Sequence, residues 1–422
     1  MKKTIGLLLA LVTMFSLCAC DTSNGESNDV TVPEKLEHIG LYLAEDGTMM
    51  KDGKEFYGLG LNWYAMLNRV YLYDKWNPKN SLDAMEILAE YDVRVIRFNI
   101  SGYTANDWEY VIKKEDKYFE VLDVLADKAA ELGIGLMPSF FWAITAVTNY
   151  FGEPWQAAMR TPESKSAKYM NEFVTKVVSR YAEHPAFYAW EFANELNLSC
   201  DLPNVADGDN KVTTESYLNA AKMFTQTVRE NDPYNRIIGT GDAIMRGRQY
   251  QLYKTGGWGT SNDTQEEADE ILDIINEDFT AVSTHAYGDG HANIDEHPES
   301  LTSDRGIFSD WDGLMDYLIG QGKRMKKAPY LGEAGAGIAG NRSPESCLLS
   351  FEEICKSAVK KDFPLTLFWN YDDRAIFNPD NPNVSAGATE WSFSHTWVKG
   401  KGVLEFIKKY NAEFDKKHAE AV

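Results

Sequence analysis

Two glutamates each close a short apolar run: Glu195 follows YAWEFAN at 188–194, and Glu333 follows APYLG at 328–332. Two carboxyls brought to one cavity can break a glycosidic bond. One gives a proton to the leaving oxygen while the other meets the sugar carbon as a carboxylate. Other side chains able to bind or polarise a substrate sit at the ends of similar runs. They are Asn62 and Trp63, Arg97 and Asn99, 139–142 up to Trp142, Asn194, Asp242, His285 and Tyr287, and Trp369. Aromatic rings among them suit the apolar face of a pyranose.

Runs that end on such residues must be strands whose ends converge. Eight are expected, at 56–63, 93–100, 134–141, 187–194, 236–240, 281–285, 328–333 and 365–369. Several are apolar along most of their length, as parallel strands covered on both faces must be. Helix-period stretches alternate with them. At 169–181, Tyr169, Phe173, Val177 and Tyr181 step by four beside Met170, Val174 and Val178. At 118–132, Leu122, Leu125, Ala129 and Leu132 share a side, and Gly133 stops the helix. The pattern predicts an α/β fold, a (β/α)8 TIM barrel, with active residues at the C-terminal strand ends. Two turn signals, Asp46-Gly47 and Asp52-Gly53, predict a short N-terminal β-hairpin before it. No G-x-G-x-x-G follows the first strand, which argues against a dinucleotide site.

Composition narrows the partners. The 422 residues carry 42 Lys and Arg against 64 Asp and Glu, a net charge of −22. Nucleic acid needs a basic face, so a neutral substrate fits better, and 13% aromatic residues supply rings to grip it. The expected partner is a polysaccharide or oligosaccharide bound by a monomer, with no cofactor and no metal. Cys200, Cys347 and Cys355 form no paired or zinc-like spacing. His285, Asp289 and His291 alternate but lack a further ligand at metal spacing. Asp201, Asp207 and Asp209 miss the calcium-loop pattern. Glu191 competes with Glu195 as the acid, yet falls near the middle of its strand. Trp155, Trp258 and Trp391 are either packing or sugar-binding side chains.

The site motifs resemble glycoside hydrolase family 5 and its retaining clan. YAWEFANELN at 188–197 resembles the Asn-Glu signature at the end of strand four, and YLGEAG at 330–335 resembles the nucleophile of strand seven. RFN at 97–99, THAY at 284–287, LFWN at 367–370 and the opening GLGLNW at 58–63 fall in the family's order. The resemblance implies a retaining, double-displacement hydrolase of β-linked hexose chains, of β-mannan or β-glucan type. It makes Glu195 the acid/base and Glu333 the nucleophile. Asn194 would then bond the sugar 2-hydroxyl, Arg97 would sit beside Glu333, and Tyr287 would donate to the same carboxylate. His285 would line the cavity near Glu195, with Trp369 as the floor and Trp63 and Trp142 as further sugar-binding rings. Two departures stand out. MPSFFW at 137–142 lacks the histidine often found there, which points away from cellulose, and Leu196-Asn197 replaces a usual proline. The rival reading is a carbohydrate-binding lipoprotein whose barrel has lost turnover. Both carboxyls, together with Asn194 and Tyr287, argue for the enzyme.

The N-terminus reads as an address. Lys2 and Lys3 precede an apolar run and then Leu17-Cys18-Ala19-Cys20, which resembles a bacterial lipobox cut before Cys20. Residues 1–19 would be the signal peptide, and 20–37 a lipidated cysteine and polar tether. The hydrolase barrel would occupy 38–415, exported and lipid-anchored at a bacterial membrane. Cys20→Ser should abolish incorporation of a radiolabelled fatty acid, because one sulfur carries the diacyl chains. Labelling equal to that of the unmodified chain would refute the lipobox.

Overall fold

A computed structural model describes residues 37–203, 211–287, 310–336, 344–372, 393–395 and 400–419. The signal segment, Cys20 and the tether, as well as Asp207, Asp209, Asp289, His291 and Trp391, lie outside the described residues.

Eight strands form the barrel: β4 (Gly58–Asn62), β5 (Val95–Asn99), β6 (Gly135–Phe141), β7 (Ala189–Ala193), β8 (Ile237–Gly239), β9 (Ala281–Tyr287), β10 (Ala328–Gly335) and β11 (Leu365–Phe368). All pairings are parallel, in the order β8-β7-β6-β5-β4-β11-β10-β9. Each expected strand is present, with its ends shifted by a few residues. Almost every strand residue is buried, which is why these segments read as apolar runs rather than alternating ones. The seam between β8 and β9 is sewn partly by hydroxyls. Thr280 donates its N–H to the Ile238 carbonyl (3.0 Å), and its Oγ1 accepts from Ile238 N–H (2.7 Å). Ser283 Oγ accepts from Gly241 N–H (3.1 Å).

The outer helices are defined by capping and by one buried face. Lys165–Tyr181 begins where the Ser164 side chain accepts from Ala167 N–H, and buries Met170, Phe173, Val174, Val177, Val178 and Tyr181. Glu115–Leu132 ends at Gly133 in the left-handed conformation, φ 71°. Among the described residues no helix is long and apolar enough to cross a membrane. Cys200, Cys347 and Cys355 are buried in the core and form no disulfide among the described residues.

The expected N-terminal hairpin is a three-stranded antiparallel meander, β1 (Tyr42–Leu43), β2 (Met49–Lys51) and β3 (Lys54–Glu55). Asp52 and Gly53 both have positive φ, 51° and 78°, as a two-residue turn matched to strand twist requires. The third strand is two residues long, too short to leave a periodic signal. Leu41, just before β1, donates to the Tyr188 carbonyl and accepts from Ile237 N–H, both at 2.8 Å. It thereby enters the start of the β7–β8 pairing. Leu41 and Met49 pack with Val95, Met137, Ile237 and Leu365, closing the barrel end opposite the one that carries Glu195 and Glu333.

Candidate active site

The deepest part of the site is the guanidinium of Arg97 on β5, whose side chain is wholly buried. Its Nε donates to Glu191 (2.7 Å) and its Nη1 to Asn62 and Glu333 (2.8 Å each). Nη2 donates to Asn194 (2.9 Å) and also pairs with Glu191 (2.6 Å). Burial works against the cation, and Glu191 and Glu333 more than restore it. Asn62 passes the restraint to two further strands, because its Nδ2 donates to the Gly332 (2.9 Å) and Leu367 (3.3 Å) carbonyls. Glu191 accepts a second bond from Tyr330 Oη at 2.9 Å and has no exposure. It is a structural counter-ion of Arg97, not an acid facing substrate.

Glu333 near the end of β10 accepts from Arg97 on Oε1 and from Tyr287 on Oε2, and its side chain is 4% exposed. Glu195, just past β7, is 31% exposed, and its Oε1 lies 3.0 Å from His285 Nδ1. A carboxylate only accepts, so that ring nitrogen carries the proton. One oxygen of each glutamate and a ring nitrogen of His285 lie within 4.8 Å of one another. Two carboxylates and an imidazole could in principle ligate a metal, but here Nδ1 is committed to Glu195 and both Glu333 oxygens are committed to protein donors.

Burial is the largest influence on both carboxyls and pushes both up. On Glu333 it prevails over the pull of His285 and Arg97, so the group sits above the ordinary carboxylate value. On Glu195 the hydrogen bond and charge of His285, together with the charge of Arg97, outweigh burial, so the net direction is downward. The unliganded pair therefore leans toward a proton on Glu333, whereas the acid role expected of Glu195 would need it there. Groups this close titrate as a pair. A sugar oxygen accepting from Glu195 favours that residue's protonated form, which is the direction the chemistry needs. Nearby, buried Asp242 accepts from Tyr217 Oη (2.9 Å), and burial lifts it to about 7.

A cavity of about 840 Å³ opens above the pair. Trp369, Trp142 and Tyr64 form an aromatic wall in it, with Trp369 stacked on Tyr64 (5.7 Å, 18°) and on Trp142 (5.9 Å, 28°). Trp142 also lies 4.5 Å from the Arg97 guanidinium. Asn194 lines the cavity. Its Oδ1 faces Arg97, since a guanidinium offers only donors, and this leaves the amide NH2 as its donor end.

Three expectations about substrate contact need correcting. Trp63 is 1% exposed and packs edge-on against Tyr371 in the core. Asn62 points inward to Arg97, so on a strand Trp63 must point outward and Tyr64 inward again. That parity was available in the sequence and identifies Tyr64 as the lining ring. Arg97 and His285 are 0% and 2% exposed and lie beneath the carboxyls rather than on the cavity wall. Trp155 and Trp258 do not line this cavity. Asp201 binds Thr214 through both oxygens (3.1 and 2.6 Å), capping a helix start. The sequence reading also missed a side arm of the cavity. Asn68, Arg69, Leu72 and Tyr73 follow β4, and Tyr103, Asn106 and Tyr110 follow β5. Most of these lie on two short helices, Met66–Leu72 and Ala105–Lys113, whose period reports packing rather than a cleft, so only their aromatic content could have marked them.

The chain matches the model of the cellulase family, glycosyl hydrolase family 5, over residues 49–413, and it belongs to that family. A probable mannan endo-1,4-beta-mannosidase C of Aspergillus terreus is 26% identical over 145 residues, 33% of this chain and 32% of that protein. The aligned part thus spans about a third of that relative's length. A family 5 mannosidase from Rhizomucor miehei superposes with a TM-score of 0.60 at 14% identity, covering 91% of this chain and 100% of that one. An endo-beta-1,4-mannanase from Thermotoga petrophila gives 0.57 at 17% identity over 85% and 78%. At these identities the two structures establish a shared fold.

His285 pulls both glutamates down, so removing it should move both limbs of the pH profile the same way. In His285→Asn, Glu333 would need a higher pH to ionise and Glu195 would keep its proton to a higher pH. The whole kcat/KM bell should shift toward alkaline pH. Limbs moving apart or downward would contradict the geometry described.

Proposed function

We propose that this family 5 hydrolase cleaves internal β-1,4 linkages of a mannan-type polysaccharide with retention of anomeric configuration. The observation that carries the mechanism is the approach of the two carboxyls to within 4.8 Å. Retaining glycosidases hold the pair ~5–5.5 Å apart, and inverting ones ~6.5–9.5 Å to admit a water. In the first step a Glu333 oxygen bonds to the anomeric carbon while Glu195 protonates the departing glycosidic oxygen. In the second, Glu195 takes a proton from water, the water oxygen bonds to the same carbon, and Glu333 leaves as carboxylate. Asn194 would donate to the sugar 2-hydroxyl, and Trp369 with Tyr64 and Trp142 would face the ring.

Mannan is favoured over glucan because the A. terreus, R. miehei and T. petrophila proteins are named as mannan- or mannoside-cleaving enzymes. Internal cleavage is favoured by the side arm, whose exposed Tyr103 (54%) and Tyr110 (40%) extend the cleft beyond the catalytic pair. The lipid on Cys20, if present, would hold this activity at a membrane surface.

Mannan, mixed-linkage glucan, xylan and cellulose assayed for released reducing ends should give mannan first, with an early fall in viscosity. No release from any of them would leave a binding protein rather than an enzyme. Proton NMR of the earliest product should report the retained anomer.

Azide separates the two glutamates. With Glu195→Ala and an activated aryl glycoside, azide should replace the water and give the β-glycosyl azide. With Glu333→Ala it should attack directly and give the α product. The reverse pattern would exchange the roles.

Tyr103→Ala should lower kcat/KM on long mannooligosaccharides by roughly tenfold, the loss of about 1–1.5 kcal/mol of ring contact. The shortest cleavable substrate should be nearly unaffected. An equal loss on both would remove the side arm from substrate binding.

A further inference from the structure

The glutamate assigned here as acid/base stands where the sheet breaks. Glu195 has φ 51° and ψ 28°, a left-handed conformation that a residue with a Cβ rarely adopts unless its surroundings impose it. It is therefore held from outside. Strand β7 stops at Ala193 and β8 at Gly239, and the backbone continues with Ala193 N–H to the Thr240 carbonyl (3.2 Å) and Glu195 N–H to the Gly241 carbonyl (2.8 Å). Past Glu195 a side chain takes over. Asn197, 1% exposed, donates from Nδ2 to the Ala243 carbonyl (2.9 Å) and accepts Ala243 N–H on Oδ1 (3.1 Å). Both ends of one carboxamide thus pair with the N–H and C=O of a single residue, as a neighbouring strand would.

The clamp also reaches the other partner of Glu195. Ile244, next to Ala243, donates its N–H to the His285 carbonyl (3.2 Å), and the His285 ring bonds the Glu195 carboxyl (3.0 Å). Asn197, Ala243, Ile244, His285 and Glu195 form a closed circuit that fixes both the peptide carrying the acid and the ring that orients it. Arg246 Nη2, donating to the Leu198 carbonyl at 2.7 Å, ties the same turn once more.

We propose that Asn197 is a positioning residue for the proton donor, setting where the Glu195 carboxyl meets the leaving oxygen. The proposal rests on the acid/base role given to Glu195 above. A misplaced acid harms only substrates whose leaving group needs its proton, whereas general loosening of the barrel harms all substrates alike.

Phenyl and 2,4-dinitrophenyl β-mannobioside separate the two cases. In Asn197→Ala, kcat/KM on the phenyl glycoside should fall roughly 100-fold, within the range a general acid contributes. On the dinitrophenyl glycoside, whose first bond breaks unaided, the fall should be a few-fold at most. Asn197→Ser, which keeps one hydrogen-bonding group, should lie between and serves as the deciding variant if the alanine form does not fold by circular dichroism. Equal falls on both substrates, or no fall on either, overturn the positioning role and leave Asn197 as structure alone. An unmodified chain inactive on both glycosides and on mannan overturns the proposed function itself, a different outcome from either.

Discussion

One buried cation fixes the geometry of this site. A guanidinium taken out of water costs several kcal/mol unless its charge and its donors are met, and Arg97 meets that cost by spending Nε and both Nη groups on Asn62, Glu191, Asn194 and Glu333. These partners come from β4, from the middle of β7 and the residue just past it, and from β10, so one planar group measures the distance across the barrel. Lysine could not replace it, because a single ammonium cannot present donors along three directions of a plane. Removing it would strand Glu191 in the interior, where breaking a buried pair costs about 3–5 kcal/mol. Catalytic placement and fold stability are therefore the same set of bonds.

Close backbone approach sets the other side of the site. Gly241 has φ +74°, and a Cβ there would fall 1.9 Å from the Ala193 carbonyl oxygen and 2.7 Å from Glu191 Oε1. Only glycine lets the chain after β8 come near enough for its carbonyl to accept Glu195 N–H. The unusual φ of Glu195 thus persists because neighbours over-determine it: Gly241 before, Asn197 after and His285 at the carboxyl.

How much of this could be read in advance follows from where each signal lives. Parallel strands buried on both faces must be apolar runs, so all eight and their polar last residues were visible, and with them Glu195, Glu333, Arg97 and Tyr287. Arg97 does lie beside Glu333, but it and His285 sit too deep to touch a sugar, because residue type says nothing of depth. Trp63 closes its strand in the sequence, yet strand parity turns Tyr64 rather than Trp63 to the cavity. The side arm after β4 and β5 and the partners of Asn197 depend on tertiary proximity, which no local period reports; the sequence marked Asn197 only as a departure from the family pattern and Asp52-Gly53 only as a turn.

The unequal surroundings of the two glutamates suit the unequal tasks proposed for them. A nucleophile must keep one position through two bond changes at carbon, and Glu333 is fixed on both oxygens, by Arg97 on one side and Tyr287 on the other. Those donors strengthen as charge returns to the carboxylate when it leaves, so they favour its departure, while for the attack they serve by holding it in place. A proton donor must instead change its bonding at each step, and Glu195 is held through one oxygen by a single ring nitrogen of His285. Its greater exposure lets water reach it once the first product has gone. Exchanging the two roles would ask the clamped carboxyl to exchange protons with water and the exposed one to hold a sugar in register. The hydrogen bonds around each argue against both.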